Sequence, residues 1–365
     1  MSIAVVINVL RTGFLEFLMK STLVIHRITR SVSGEGYVVR VSAELLREKN
    51  VETRIATFSP PLEDLGFPYV SVIPFKMRRF DKYQRVFTVF SAKKTNPDFF
   101  LNITAIPLPL SRIAPHIIYG VAPEFSSVPS KYNSSFIWRL YLVPMRGILK
   151  QFKEEAKRAI FIANSNYSAK AIDEIYNVKP RVIYPPVDVK DFSKIPIGTR
   201  EPFFVTVGRF ERGKRLDLSV KLSAMTGVKG VIIGSFEGGG YLNELIKLRK
   251  SLNAPVEFFP NLPRESMVEV MKRASVYFHP TPGEHFGIPI VEAMAAGLIT
   301  IVPRESGGAE ILPEFTYGNL EEASTLLKNN LYPPEELRKS LREKSLSFDK
   351  EIFKRKMWDL IESLK

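Results

Sequence analysis

Two acidic residues eight positions apart, Glu284 and Glu292, flank a stretch whose residue types could bind a phosphate. A short apolar run, 275–278, predicts a buried strand, and a loop rich in proline and glycine follows it. Pro289 then suits the first turn of a helix that ends near Gly297. The N–H groups and positive dipole end at the helix start predict an anion site. Each carboxylate could also hold a vicinal diol, although two solvated acids near a helix start are the simpler alternative.

A glycine turn elsewhere in the chain carries two cations. The apolar run 203–207 predicts a strand, and Gly208 follows it, with Arg209 and Lys214 five positions apart. Two cations at a strand end can bracket a diphosphate leaving group and stabilise the charge that develops on it. A solvated basic turn is the alternative on a chain with a net charge of +14. Two strand-like runs separate this turn from Glu284, which is the alternating order of an α/β domain.

Both pairs resemble sequence signatures of retaining glycosyltransferases of family four, namely Glu-x7-Glu for the acids and Arg-x4-Lys for the cations. The resemblance implies an α/β protein of the GT-B fold, with two Rossmann-like parallel-sheet domains that face a central cleft. The segments 184–188, Tyr-Pro-Pro-Val-Asp, and 284–287, Glu-His-Phe-Gly, are similar to the branch of eukaryotic mannosyltransferases that extend dolichol-linked oligosaccharides. The resemblance also implies a sugar transfer in which the donor diphosphate is the leaving group and no carboxylate acts as a nucleophile.

The resemblance also assigns roles to individual residues. It implies catalytic roles for Arg209, Lys214 and Glu284, with Glu284 on the transferred sugar. Nucleotide-sugar binding is assigned to Gly208, His285, Phe286, Gly287, Ile288, Glu292, Asn261, Gly34 and Gly36. Within this set, Glu292 would hold the ribose, and the last two glycines form a reduced version of the family's glycine-rich loop. Glycines are also common in any turn between a strand and a helix, which is the simpler explanation for this pair.

The domain boundaries follow from local chemistry and from the family. We expect a first domain at 19–190, a nucleotide-sugar domain at 191–347, and a C-terminal helix at 348–365 that the family implies packs back on the first domain. Residues 1–18 have no counterpart in the family. Charged residues interrupt the apolar runs there, so this segment does not predict a membrane-spanning helix. We expect Met19 to be the true start, and an extra strand and a membrane-touching helix are the alternatives.

The acceptor side of the first domain departs from the family pattern. Val121 and Ala122 follow an apolar run, 117–119, where the family often has a polar pair before proline. This departure removes an expected contact to the sugar. The remaining acceptor-side candidates are His26, Tyr119, Glu124 and Ser165.

Composition excludes some classes of site and favours certain partners. The chain has no cysteine, so it can form neither a disulfide nor a thiolate metal site, and its four histidines have no metal-binding spacing. We expect neither a metal nor a cofactor. Two basic stretches, 76–94 and 139–158, interleave Lys and Arg with apolar residues, which suits a helix on an anionic membrane surface or, more simply, a core helix with a basic outer face. No nucleic-acid-binding motif accompanies the charge.

The resulting prediction is a retaining hexosyltransferase located at the cytoplasmic face of a membrane. It would move a hexose, with mannose favoured, from a nucleotide diphosphate sugar to a lipid-linked or membrane-associated glycan. GDP-mannose is the favoured donor, and a UDP-sugar is the alternative. Two other functions stay open: an inactive membrane-associated partner subunit of the same fold, and a GT-B nucleotide-sugar epimerase, which would turn over donor without an acceptor.

Overall fold

The protein is described here from a computed structural model that covers residues 19–28, 34–77, 83–121 and 150–364. The predicted extension 1–18, the acceptor-side candidate Glu124 and parts of both basic stretches lie outside these described residues. Among the residues that the structure describes, no helix combines the length and apolar character that crossing a bilayer requires.

The first sheet has seven strands, and every pairing recorded in it is parallel. Its strands are β1 (Lys20–Val24), β2 (Glu52–Thr57), β3 (Tyr69–Ser71), β4 (Phe99–Asn102), β5 (His116–Gly120), β6 (Ile160–Ala163) and β7 (Arg181–Val182). The spatial order is β3-β2-β1-β4-β5-β6-β7, so the chain reverses direction across the sheet between β1 and β4. β4 is buried along its whole length, which is typical of an apolar strand covered on both faces.

Helices alternate with the strands of the first sheet. They are α1 (Gly34–Glu48), α2 (Tyr83–Ala92) and α3 (Asn166–Tyr176), and residues 150–158 are also helical. α1 begins at Gly34, so Gly34 and Gly36 lie in its first turn rather than in a glycine-rich loop before it.

The second sheet has six strands, and its strand order also reverses across the sheet. Its strands are β8 (Glu201–Val207), β9 (Gly230–Gly234), β10 (Val256–Pro260), β11 (Ala274–Phe278), β12 (Ile299–Pro303) and β13 (Thr316–Tyr317). Their order is β10-β9-β8-β11-β12-β13, and all pairings are parallel. The central neighbours β8 and β11 are therefore the two strands that precede the predicted cation pair and the predicted acid loop. Their carboxyl ends lie at the same edge of the sheet, at its topological switch point.

The helices of this part of the chain are mostly short. They are α4 (Val189–Ser193), α5 (Leu216–Thr226), α6 (Tyr241–Ser251), α7 (Arg264–Arg273), α8 (Ile288–Ala295), α9 (Gly308–Ile311), α10 (Leu320–Asn329), α11 (Glu335–Ser345) and α12 (Lys350–Glu362). Turns of 3₁₀ helix occur at Arg212–Lys214, Pro313–Phe315 and Leu346–Phe348.

α8 lies inside the core rather than on its surface. Its residues 290–295 are all buried, and the helix packs against α4 and α11. A helix that is apolar around its circumference must be covered on every side. The predicted helix after the acid loop is therefore confirmed, and the core holds it in place.

The chain divides into two compact units. The first runs to Phe161 and includes Tyr176–Val178, and the second contains Ile162–Ile175 and Lys179–Lys365. The α/β class with two parallel sheets is confirmed. The predicted boundary near residue 190, the central cleft and the docking of the last helix stay predictions.

Candidate active site

The turn after β8 is fixed by a close backbone approach. Gly208 donates its N–H to the Ile233 carbonyl at 2.9 Å. A Cβ atom on Gly234 would lie only 1.7 Å from the Gly208 carbonyl oxygen, so position 234 requires glycine. The chain then forms the 3₁₀ turn that ends at Lys214, and Arg215 takes a left-handed conformation before α5 begins. This geometry turns the Lys214 side chain towards the neighbouring strand end.

Lys214 and Glu284 form the central contact of the site. The Lys214 Nζ lies 2.6 Å from Glu284 Oε2, and the two side chains are partly buried, with exposures of 28% and 19%. His279, the residue after β11, lies with its Nε2 at 3.7 Å from the same oxygen. Burial raises the pKa of Glu284, but the nearby His279 and Lys214 outweigh it and hold that pKa well below its ordinary range. Glu284 is therefore an anion, paired with a cation at the carboxyl edge of the sheet.

Backbone hydrogen bonds hold the loop that carries Glu284. Gly283 donates to the Glu305 carbonyl at 2.7 Å, and Gly307 donates to the Glu284 carbonyl at 2.8 Å. The loop ends at Gly287, whose φ of +87° lies in the left-handed region that glycine tolerates. Because neighbouring segments hold its backbone, this loop presents its acid in a defined position.

The start of α8 has the features of an anion site. Gly287 is the residue before the helix, and within the described part of the chain no side chain caps the first-turn N–H groups. Pro289 occupies the first turn, where a missing N–H costs nothing. A phosphate oxygen could accept hydrogen bonds from this helix start and would lie at the positive end of its dipole.

Glu292 lies one turn into α8 and is paired with an arginine. It is 8% exposed, and Arg264 Nη1 lies 3.3 Å from its Oε1. Burial raises the pKa of Glu292 against the opposing effect of Arg264. Arg264 also lies over the Phe192 ring at 4.9 Å and 3.8 Å from Asp188. The structure thus places Glu292 on the helix predicted to bind the donor but engages it with a partner that the sequence analysis had not named.

Arg209 and Asn261 are not brought into contact with Glu284. The Arg209 Nη1 lies 3.2 Å from Glu211 Oε1, and both side chains are more than half exposed. Asn261 accepts a hydrogen bond from the Phe236 N–H at 2.8 Å and donates to its carbonyl at 3.1 Å. Asn261 therefore ties the loop after β9 to the end of β10, and its side chain already has a structural task.

Ser165 and a second serine support the acid loop from α3. Ser165 donates to the His285 carbonyl at 2.5 Å, and Ser168 Oγ lies 3.0 Å from His285 Nδ1. Ser168 donates its single hydroxyl proton to Asn164 Oδ1 at 2.6 Å, so it accepts from His285, which places a proton on Nδ1. The sequence analysis named Ser165 for the acceptor, whereas the structure shows it holding the loop. Ser168, three residues later on the same helix face, could have been found from that spacing.

Glu310 is another residue that the sequence analysis missed as a support. Its two carboxylate oxygens accept the N–H groups of Asn166 and Tyr167 at 3.1 Å each, which caps the start of α3. Burial, followed by the charge of Glu310, raises the pKa of Tyr184 to about 12. Tyr184 packs on Phe286 with ring centroids 5.6 Å apart. Glu310 follows closely after Gly307 and Gly308 in the chain, and this pattern could have drawn attention to it.

The two acceptor-side candidates that the structure describes in the first unit, Tyr119 and His26, are buried. Tyr119 is 3% exposed, and burial raises its pKa. His26 is 4% exposed, and its Nδ1 lies 3.5 Å from Glu35 Oε1. Burial, and then the charges of Arg85 and Arg27, lower the pKa of His26 to about 2, so His26 is neutral near pH 7. Their roles, like those of Gly34 and Gly36, stay predictions.

No cluster of three or more metal-ligating side chains occurs within the described residues. The second unit offers an ion-paired carboxylate, a lysine and a helix start. A diphosphate could bind to the last two, while the carboxylate could accept hydrogen bonds from sugar hydroxyls.

Comparison with known proteins agrees with this geometry. Residues 188–327 match the family model described as glycosyl transferases group 1. A GDP-Man:Man(3)GlcNAc(2)-PP-Dol alpha-1,2-mannosyltransferase of Xenopus laevis is 32% identical over 171 residues, which are 42% of this chain and 35% of the relative. An alpha-1,3/1,6-mannosyltransferase, ALG2 of Candida albicans, is 24% identical over 249 residues, or 53% of this chain and 56% of the relative. The chain thus spans about a third to a half of the length of these curated relatives.

Solved structures resemble the chain over nearly its whole length. The sucrose-phosphate synthase of Thermosynechococcus elongatus has a TM-score of 0.73 at 16% identity, covering 95% of this chain and 99% of that one. Anabaena HepE, solved in complex with UDP and glucose, has a TM-score of 0.67 at 16% identity, covering 94% and 100%. The α/β GT-B fold is confirmed. The resemblance to family four is confirmed as well, since residues 188–327 match the glycosyl transferases group 1 model.

Proposed function

We propose that this protein is a retaining hexosyltransferase that moves mannose from a nucleotide diphosphate sugar to a lipid-linked glycan. The observation that carries the proposal is the Lys214–Glu284 ion pair at 2.6 Å, beside the start of the buried helix α8. The frog relative is named for GDP-mannose and a dolichol-linked acceptor, which supports this donor and acceptor class.

The proposed chemistry divides the site between the leaving group and the sugar. Lys214, with Arg209 and the α8 start, stabilises the negative charge on the departing diphosphate. Arg209 is more than half exposed and ion-paired with its neighbour Glu211, so its side chain can turn towards the phosphates. Glu284 is held as an anion and accepts hydrogen bonds from the sugar, while the acceptor hydroxyl attacks from the face that the phosphate leaves. The acceptor proton passes to the departing phosphate oxygen.

Nucleotide binding is the first test, because a ligand that binds only the folded state raises the melting temperature by mass action. We expect GDP to stabilise the purified full chain, and UDP and ADP at the same concentration to do so much less. Stabilisation by UDP alone would change the donor class. A folded protein that melts unchanged with all three would favour the inactive partner subunit.

Turnover distinguishes the remaining functions. We expect GDP release from GDP-mannose that depends on a polyprenyl diphosphate-linked glycan, and mannose found on that lipid with retained anomeric configuration. Conversion of the donor to another nucleotide sugar without any acceptor would instead indicate the epimerase. Lys214→Ala should abolish the transfer, whereas Lys229→Ala, which removes a surface lysine on the same unit, should not.

We also propose that the protein binds the cytoplasmic face of a membrane through the basic stretch 76–94. On α2, Phe87 and Phe90 lie three residues apart and are 38% and 56% exposed, and Phe75 is 57% exposed. Aromatic side chains beside Lys76, Lys93 and Lys94 suit the headgroup region of anionic lipids. The described half of the other stretch, 150–158, instead buries its Phe152 and exposes its basic residues.

Sedimentation with lipid vesicles tests this surface. The protein should sediment with vesicles containing phosphatidylserine, and a Phe87→Ser/Phe90→Ser variant should sediment markedly less while melting at a similar temperature. Tyr332→Ser, which changes a 77% exposed aromatic side chain elsewhere, is the matched control. Equal sedimentation of all three proteins would refute the assignment to α2.

A further inference from the structure

His279 lies immediately after β11, directly behind the acid of the site. The residue is 3% exposed, and its buried Nε2 has no hydrogen-bond partner among the residues that the structure describes. The nearest carboxylate oxygen is Glu284 Oε2 at 3.7 Å. A buried ring nitrogen that faces a carboxylate at this distance is close enough to interact with it electrostatically.

The backbone of His279 is held from two sides. Its N–H donates to the Ile301 carbonyl on β12 at 2.9 Å, and its carbonyl accepts from the Tyr317 hydroxyl at 2.9 Å. On the ring, Nδ1 lies 3.1 Å from the hydroxyl of the buried Tyr277. The imidazole therefore has a fixed position, and only Nε2 is directed at the acid.

The protonation of the ring follows from its neighbours. The Tyr277 hydroxyl can donate to Nδ1 at 3.1 Å or to the Val207 carbonyl at 3.5 Å, and the shorter contact is the better hydrogen bond. With Nδ1 as the acceptor, the ring proton sits on Nε2. The opposite tautomer would aim a lone pair at the Glu284 carboxylate, which is electrostatically unfavourable.

We propose that His279 is a positioning residue for the transfer reaction: its Nε2–H holds the Glu284 carboxylate in the orientation that meets the sugar, while Lys214 holds the same oxygen from the other side. This inference rests on the proposed function for its role in turnover. The contact itself does not, because Tyr277, His279 and Glu284 are in place whatever the substrate. His279 touches neither the donor nor the acceptor in this arrangement.

A double-mutant cycle tests the proposal in the full-length protein. His279→Leu should lower kcat about 10-fold, because the Glu284 carboxylate loses the electrostatic contact that orients it, and change the donor KM much less. His279→Gln, which can still donate from a similar position, should recover most of that loss. If His279 acts through Glu284, adding His279→Leu to Glu284→Gln should change kcat by less than about threefold, since coupled residues do not add.

The matched control is Tyr317→Phe, which removes the hydrogen bond to the backbone of the same histidine but leaves its ring in place. It should lower the melting temperature but lower kcat much less than His279→Leu does. Multiplicative losses in the double variant, or a His279→Gln protein as slow as His279→Leu, would overturn the proposal.

The melting temperature separates this proposal from the proposed function. If the wild type transfers no sugar, the proposed function fails. The wild type, His279→Leu, Glu284→Gln and the double variant then still give a double-mutant cycle for stability. Melting-temperature losses that do not add would support the His279–Glu284 contact, and losses that add would refute it. The melting curves also show whether His279→Leu folds, and His279→Gln supplies the second variant if it does not.

Discussion

Substitution of Gly307 tests whether turnover depends on the observed position of the loop that carries Glu284. Its φ of −63° and ψ of −20° are ordinary for any residue, so Gly307→Ala introduces no backbone strain. The added methyl, however, would lie 1.9 Å from the His285 carbonyl oxygen and 3.1 Å from the Phe286 Cα. Non-bonded carbon and oxygen atoms need more than about 3 Å, so the loop or the Gly307 segment must move by at least about 1 Å.

The magnitude follows from this displacement. Overpacking of this kind costs about 1–3 kcal/mol of unfolding free energy. A shift of about 1 Å in a loop that positions reacting groups can lower turnover about 100-fold. The Gly307 N–H to Glu284 carbonyl bond, 2.8 Å long, would be lost or stretched by the same movement. We therefore expect Gly307→Ala to be folded, moderately destabilised and strongly impaired in kcat.

Steady-state turnover and urea unfolding of three variants provide the assay. Gly308→Ala is the neighbouring control, because its methyl would press on the Ile290 Cδ1 at 2.7 Å, the far end of a flexible side chain. Gly213→Ala, with nothing within 4 Å of the added carbon, is the neutral control beside Lys214. Gly308→Ala should lose stability with a smaller loss of kcat. Wild-type kcat in Gly307→Ala would refute the reasoning, since the loop would then not need its observed position.

Three further predictions concern stability and charge. Lys214→Ala should lower turnover at least about 100-fold but unfolding free energy by only about 1–2 kcal/mol, because the Lys214–Glu284 pair is partly solvated; comparable losses in both measurements would indicate a structural lysine. The pKa of Glu284 is depressed from 4.5 in the folded state, so its contribution to stability is present above about pH 4.5 and is lost as the pH falls towards the folded pKa. Urea unfolding of Glu284→Gln should accordingly depend less on pH between about 5 and 3 than that of the wild type, and parallel curves would contradict this pKa. Arg338→Met should cost about 2–4 kcal/mol in urea unfolding, because the carbonyls of Gly297 and Gly198 lose their donor, and a neutral result would show that water replaces it.

Much of the second unit could be predicted from sequence because local signals agreed there. The apolar run before His279 predicted β11, and Pro289 and Gly297 bounded α8 to within two residues. The spacing of Arg209 and Lys214 located the cation turn. Short apolar strands and glycine punctuation are local properties, and in this unit the fold did not override them.

The contacts that complete the site could not be predicted, because they depend on tertiary distances. Lys214 and Glu284 are 70 residues apart in the chain, and no local pattern indicates that this lysine, rather than Arg209, pairs with the acid. His279 carried no signal either, since a lone histidine after a strand is usually structural. Gly307 shows the limit most clearly: its need for glycine comes from the His285 carbonyl, 22 residues earlier, and not from its own φ.

The far end of α8 explains why the anion site can be built on so short a helix. Its last carbonyls accept hydrogen bonds from three arginines: Arg342 binds the Ala295 oxygen, Arg200 that of Ala296 and Arg338 that of Gly297. Burial, followed by the charges of the other two arginines, lowers the pKa of Arg200 to about 10, so Arg200 remains a cation near pH 7.

An eight-residue helix is only about 12 Å long, so groups at one end affect the other. Cations at the negative end of the helix dipole stabilise the aligned helix and fix its axis. The flanks of α8 are buried, which leaves the helix little room to tilt. Both ends of α8 are thus held in place before any substrate binds. The acid loop, fixed by its backbone hydrogen bonds, lies at the start of the helix, and the three arginines bind the carbonyls at its end.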